Sequence, residues 1–85
     1  MEILIEPHTL ERAVERGATR EEIIDVIENG ISSEAKRNRK AKYKVYDFLK
    51  EKNGKHFQHK KVEVFYLVEN NDAITVTVYV YYGTF

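Results

Sequence analysis

No cysteine occurs among the 85 residues, so neither a disulfide framework nor a thiolate metal site can be built, and a reducing compartment, the cytoplasm, is the expected location. There is no long apolar run of the kind that crosses a bilayer. The chain begins Met1-Glu2-Ile3-Leu4-Ile5-Glu6, acidic where a secretory leader is basic, so no membrane partner is expected. A Gly-rich phosphate loop, a GxSxG elbow, an HExxH helix and any pair of carboxylates standing apart from ordinary surface charge are all missing. Phosphotransfer, esterase and glycosidase chemistry therefore lack their residues. The chain also lacks a net charge, because 14 basic residues balance 14 acidic ones.

That balance hides a segregation. Between Lys36 and Lys61 stand eleven basic residues (Lys36, Arg37, Arg39, Lys40, Lys42, Lys44, Lys50, Lys52, Lys55, Lys60 and Lys61) against Asp47 and Glu51, a local charge of +9. The first 35 residues carry −6 and the tail from Val62 carries −3. A local field of this kind gathers phosphates at one surface even when the whole chain is neutral. The blander account is that lysines on a short sheet edge deter strand-to-strand association.

A chain of this length is one domain, residues 1–85, and its ordinary apolar content with ten aromatic residues favours folding over disorder. Residues 2–6 suit a short strand, which Pro7 ends while opening a helix. Leu10, Ala13 and Val14 share one side of that helix as its expected core stripe, and Gly17 closes it. Thr19 and Glu22 form a capping box for a second helix, with Ile23, Ile24, Val26 and Ile27 inward and Asn29-Gly30 at its end. The period then changes to two. Residues 43–50 alternate, Asn53-Gly54 marks a hairpin, and a strand returns from about His56 with Val62, Val64, Tyr66 and Val68 on one face. After Asn70-Asn71-Asp72 the last strand is expected to face the helices with Ile74, Val76, Val78 and Val80, leaving Thr75, Thr77, Tyr79 and Tyr81 on the other side. The fold class is α+β in the order β-α-α-β-β-β, two short helices on one face of a curved antiparallel sheet. The uncovered face, with its tyrosines and hydroxyls, is a candidate RNA platform; paired tyrosines also simply stiffen sheets.

Three residues could carry chemistry. His8, Arg12 and Arg16 recur every four residues and form one polar stripe. Phosphodiester cleavage uses a group titrating near neutrality and fixed positive charge where the phosphorane develops. Surface pairing with nearby glutamates would explain the arginines equally well. His56 and His59 fall on opposite faces of an extended strand and are poor joint metal ligands, so any catalysis is expected to be metal-independent and cofactor-free.

The run from Pro7 to Gly17 with its His-x3-Arg-x3-Arg-Gly spacing, the Thr-x-x-Glu helix ending Glu28-Asn29-Gly30, and the closing Val78-Tyr79-Val80-Tyr81-Tyr82-Gly83 resemble a family of small prokaryotic domains of unknown function. That family is similar in layout to RelE-type toxins, metal-independent ribonucleases with two helices on a curved sheet. The resemblance implies an endoribonuclease toxin of a toxin–antitoxin pair, cleaving RNA by 2′-OH attack and held in check by a small acidic antitoxin. It implies His8 as base or acid, Arg12 with Lys40 or Lys42 as phosphate clamp, and Tyr82 as polar partner. Arg16, Arg37, Arg39, Lys40, Lys42, Lys44, Tyr79 and Tyr81 are the expected RNA contacts. Such a site requires His8 and the cationic hairpin to converge on one concave surface. The alternatives are a non-catalytic module that binds nucleic acid or protein, and an oligomerising domain that buries Phe65, Tyr79 and Tyr81.

Overall fold

Short-range signals set most element boundaries in the computed structural model, which describes residues 1–85. Helix α1 spans Pro7–Arg16, with Pro7 in the first turn, where its missing N–H is no loss. It ends at Gly17, whose φ of 94° turns the chain and lets its N–H reach the Ala13 and Val14 carbonyls. A side chain at Gly17 would also collide with the Tyr82 hydroxyl. Helix α2 spans Arg20–Asn29 behind the expected capping box: Glu22 N–H donates to Thr19 Oγ1 at 3.1 Å, and Thr19 N–H donates to the Glu22 carboxylate at 2.9 Å. Gly30 follows α2 in extended conformation, so close packing explains it rather than backbone freedom. A Cβ there would run into the Val26 carbonyl and crowd Tyr43.

Five strands follow one sheet, ordered β1-β5-β4-β3-β2. They are β1 (Ile3–Leu4), β2 (Ile31–Ser33), β3 (Lys40–Lys52), β4 (Lys55–Glu69) and β5 (Asp72–Gly83). Strands β3, β4 and β5 form the expected antiparallel meander. Its hairpins turn at Asn53-Gly54 and at Asn70-Asn71, all four residues at positive φ, the backbone that two-residue hairpins require. Two features depart from expectation. The three residues of β2 add an edge strand beside β3, and β1 pairs with β5 in parallel, so the sheet is mixed.

Helix α1 packs on β5, and α2 packs on β3 and β4. Between helices and sheet lie Ala13, Ala18, Ile23, Val26, Ile27, Val62, Val64, Tyr66, Ala73 and Val78. Each fully buried aliphatic side chain there contributes roughly 1.5–3 kcal/mol relative to exposure. The expected inward stripes need two corrections. Val14 is 72% exposed and Leu10 only half-buried, because α1 presents Thr9 and Ala13 to the sheet. These small residues allow close approach to β5, and the Thr9 hydroxyl is sealed there without a partner. In β5 the alternation slips: Tyr66 pairs with Thr75 but Phe65 with Thr77, leaving Val76 as an unpaired bulge residue. The covered face of β5 is therefore Ala73 and Thr75, then Val78 and Val80, rather than Ile74 and Val76.

Candidate nucleic-acid interface

Side-chain alternation divides the basic window between the two faces of the sheet. Lys42, Lys44 and Tyr46 lie opposite Val64, Val62 and Lys60 in the β3–β4 register, so all share the helix-covered face. There α2 takes up their charge. Lys44 Nζ and Tyr46 Oη both donate to Asp25 Oδ2 at 2.6 Å, while Asn29 Nδ2 donates to Oδ1 at 2.9 Å. The hydrogen bond from Lys44, followed by those from Tyr46 and Asn29, holds the Asp25 carboxyl well below the usual carboxylate range. Burial, together with Asp25 itself, pushes the Tyr46 phenol above its ordinary value. Lys60 Nζ donates to Glu22 and to the Gly17 carbonyl, both at 2.9 Å, and Lys42 Nζ donates to the Ile27 carbonyl at 2.9 Å near the end of α2. Three of the eleven window cations thus fasten α2 to the sheet.

The uncovered face carries different neighbours. Its central rows are Tyr43, Glu63 and Tyr79; Val45, Lys61 and Tyr81; and Ala41, Phe65 and Thr77. Tyr79 is 40% exposed, Tyr81 43% and Phe85 52%, so rings remain open to a ligand. The Tyr79 and Tyr81 rings lie stacked with centroids 6.5 Å apart, and Phe65 meets Tyr79 edge-on at 5.8 Å. Lys61 Nζ sits 5.1 Å from the Tyr43 ring centre, 5.4 Å from Tyr81 and 5.3 Å from Phe85, and the Arg16 guanidinium lies 5.1 Å from Tyr79. Burial raises the Tyr81 phenol, which stays protonated. Among the acids of this face, Glu63 accepts from Ser33 Oγ at 2.9 Å and Asp47 lies 3.9 Å from His59 Nε2. Backbone N–H of Phe85 donates to His59 Nδ1 at 3.0 Å, which brings the terminal ring toward Lys61.

The polar stripe of α1 lies along the outer edge of β5, where β1 has ended. His8 Nε2–H donates to the Val76 carbonyl at 3.1 Å and Arg16 Nη1 donates to the Val78 carbonyl at 2.6 Å, filling edge acceptors that no strand pairs. Arg12 points away and pairs with Glu15 at 3.4 Å in solvent. Tyr82 Oη donates to the Arg16 carbonyl at 2.6 Å, and its ring packs against Phe48 and Phe57, with Lys52 Nζ 4.7 Å from its centre. The catalytic candidates His8, Arg12 and Tyr82 consequently stand in three separate settings. Lys40 and Lys42 belong to β3, beyond β4 and about 10 Å or two strand spacings from the β5 edge, so the structure does not gather them with His8.

Among the expected RNA contacts, Arg16, Tyr79 and Tyr81 meet on the uncovered face. Lys42 and Lys44 are turned to α2, and Arg37, Arg39 and Lys40 stand exposed at the start of β3 and the loop before it. His56 is exposed opposite Glu51 near the β3–β4 hairpin. Lys61, Tyr43 and Phe85 were not singled out by sequence, although Lys61 immediately follows Lys60 and strand alternation alone puts the two on opposite faces. No helix is long and apolar enough to cross a membrane. No family model, curated protein or solved structure matches this chain.

Proposed function

We propose that the chain binds single-stranded RNA on the uncovered sheet face, with bases stacking on Tyr79, Tyr81 and Phe85 and phosphates meeting Arg16 and Lys61. The observation that carries this reading is the set of partly exposed rings with a cation placed over each. Every base has a π-face, and stacking on an aromatic side chain contributes roughly 1–3 kcal/mol per base without demanding a sequence. Only two cations join this surface and Glu63 opposes them, so stacking rather than charge dominates. A slope of log affinity against log salt near about −1.4 is expected for two phosphate contacts on a single strand, much shallower than the whole basic window would give.

Ribonuclease activity of the RelE type rests on the resemblance, the basic window and the polar stripe of α1, and its acidic antitoxin on the resemblance. His8 Nε2 is engaged at the β5 edge, and Arg12, one turn along α1, pairs with Glu15. Both readings meet in one experiment. Labelled single-stranded RNA is titrated with protein in EDTA, affinity is read by anisotropy, and the same RNA is then run on a denaturing gel. Binding that weakens about tenfold or more in a Tyr79→Ala/Tyr81→Ala variant, and little in Lys50→Gln, supports the platform. Equal losses in both variants, or a stable dimer by light scattering that excludes RNA, overturns it. Fragments that disappear in His8→Ala would establish cleavage.

A further inference from the structure

On the helix side of the sheet, past the C-terminal end of α2, the covering helices stop and leave a cleft of about 610 Å³. It lies opposite the aromatic platform, because Lys40 pairs with Tyr66 and Ser32 with Lys42 on the covered face. Arg39, Lys40 and Lys42 contribute three cations to its lining against one acid, Glu34. Neither Arg39 nor Lys40 reaches any carboxylate: the ion pairs of the molecule are Arg12–Glu15, Lys44–Asp25, His59–Asp47 and Lys60–Glu22. This is the opposite of the treatment given to Lys44 and Lys60 farther along β3 and β4.

Tyr66 supplies a second, independent observation. The residue is only 4% exposed, yet its hydroxyl has no hydrogen-bond partner in the protein and is not among the polar atoms sealed from solvent, so it opens into the cleft it lines. A buried phenol without a partner costs free energy unless water or a ligand accepts from it. Burial also raises its titration point, which keeps it a donor at every physiological pH. The solvent-exposed Ser32 lines the same wall.

We propose that this cleft binds a phosphomonoester, with Arg39 and Lys40 holding the dianion and Tyr66 and Ser32 donating to its oxygens. A guanidinium and an ammonium with neutral hydroxyl donors are the donor set such a group takes. The volume suits a mononucleotide, within the roughly 300–1,000 Å³ of ordinary ligand sites. The phosphate comes either from a free nucleotide or from the 5′ end of an RNA chain; the proposal does not depend on the aromatic platform, which occupies the other face.

Amide spectra of the whole chain are recorded during titration with adenosine 5′-monophosphate, with adenosine, and with short RNAs that differ only in a 5′-phosphate. Saturable shifts at Ser32, Arg39 to Lys42 and Val68 with the monophosphate and not with adenosine are expected for a free nucleotide. The same shifts only with 5′-phosphorylated RNA assign the chain end. Arg39→Gln/Lys40→Gln is expected to weaken binding about tenfold or more, and Tyr66→Phe, which removes a hydroxyl the fold does not use, a few-fold. The cleft shifts should persist in Tyr79→Ala/Tyr81→Ala, which separates this site from the platform. Unchanged affinity in both cleft variants, equal response to adenosine, or shifts centred on Lys50, Lys52 and Lys55 overturns the proposal.

Discussion

Lys60 and Lys61 are neighbours in the chain with opposite fates. Lys60 faces α2, where Glu22 and a helix-end carbonyl saturate it and its side chain is 12% exposed. Lys61 faces the other way, among the rings of Tyr43, Tyr81 and Phe85, with no carboxylate in contact. The difference teaches that a run of basic residues on strands is two populations: cations beneath α2 hold the protein's own acidic helix, and those on the other face or beyond the helix end stay free for a ligand. The negative first 35 residues and the positive window are thus partly each other's complement, through Asp25 and Glu22. Segregated charge along a chain does not by itself imply a polyanionic partner.

The comparison can be broken from either side. The largest effect belongs to the covered face, where Ile23→Ala empties a fully buried position and is expected to cost about 3 kcal/mol in denaturant titrations while the folded fraction keeps its RNA affinity. On the uncovered face, Tyr79→Ala/Tyr81→Ala should remove about 2 kcal/mol of RNA binding by anisotropy and change stability little. A crossover of that pattern, with the tyrosines costing stability and not binding, would make the platform a structural surface. The two lysines sharpen the contrast: Lys60→Gln is expected to cost about 1.5 kcal/mol of stability by leaving Glu22 poorly paired. Lys61→Gln should instead leave stability unchanged and flatten the salt slope of binding by about 0.7.

The smallest effect is a pH dependence. Because Asp25 titrates below its ordinary range when folded, the folded state resists protonation there. The stabilisation from its bonds is complete above the unfolded carboxyl value of about 4, and is lost progressively as pH falls from there toward the depressed folded value. Asp25→Asn should flatten that acid limb in thermal melts across pH. Tyr46 acts at the other extreme: its raised phenol favours folding until pH climbs past the unfolded value of about 10.

What could be read from sequence was what neighbours along the chain decide. Thr19 with Glu22, Gly17 and Asn53-Gly54 specify their caps and turns within a few residues, and each appears where local chemistry puts it. Two errors share one cause, dependence on a distant partner. The bulge at Val76 turns Ile74 and Val76 away from the covered face while Val78 and Val80 keep their expected side, and no feature of Ile74-Thr75-Val76-Thr77 announces that slip. Val14 points outward because α1 settles on Thr9 and Ala13 with His8 and Arg16 bonded to β5 more than 60 residues away. Strand β2 is three residues of Ile-Ser-Ser, too short to show a period, and exists because β3 offers it an edge. Of the candidate site, Tyr79 and Tyr81 were legible from alternation, whereas the division of lysines required knowing which face α2 covers.

The His8 and Arg16 caps on β5 have a practical consequence for anyone probing the aromatic surface. Removing Arg16 strips a guanidinium from Tyr79, but it also bares the Val78 carbonyl on a strand margin that is otherwise ready to recruit a foreign strand. Self-association of such a variant into sheet-extended oligomers would deplete the monomer and mimic weakened RNA affinity, so its sedimentation profile belongs beside every binding curve.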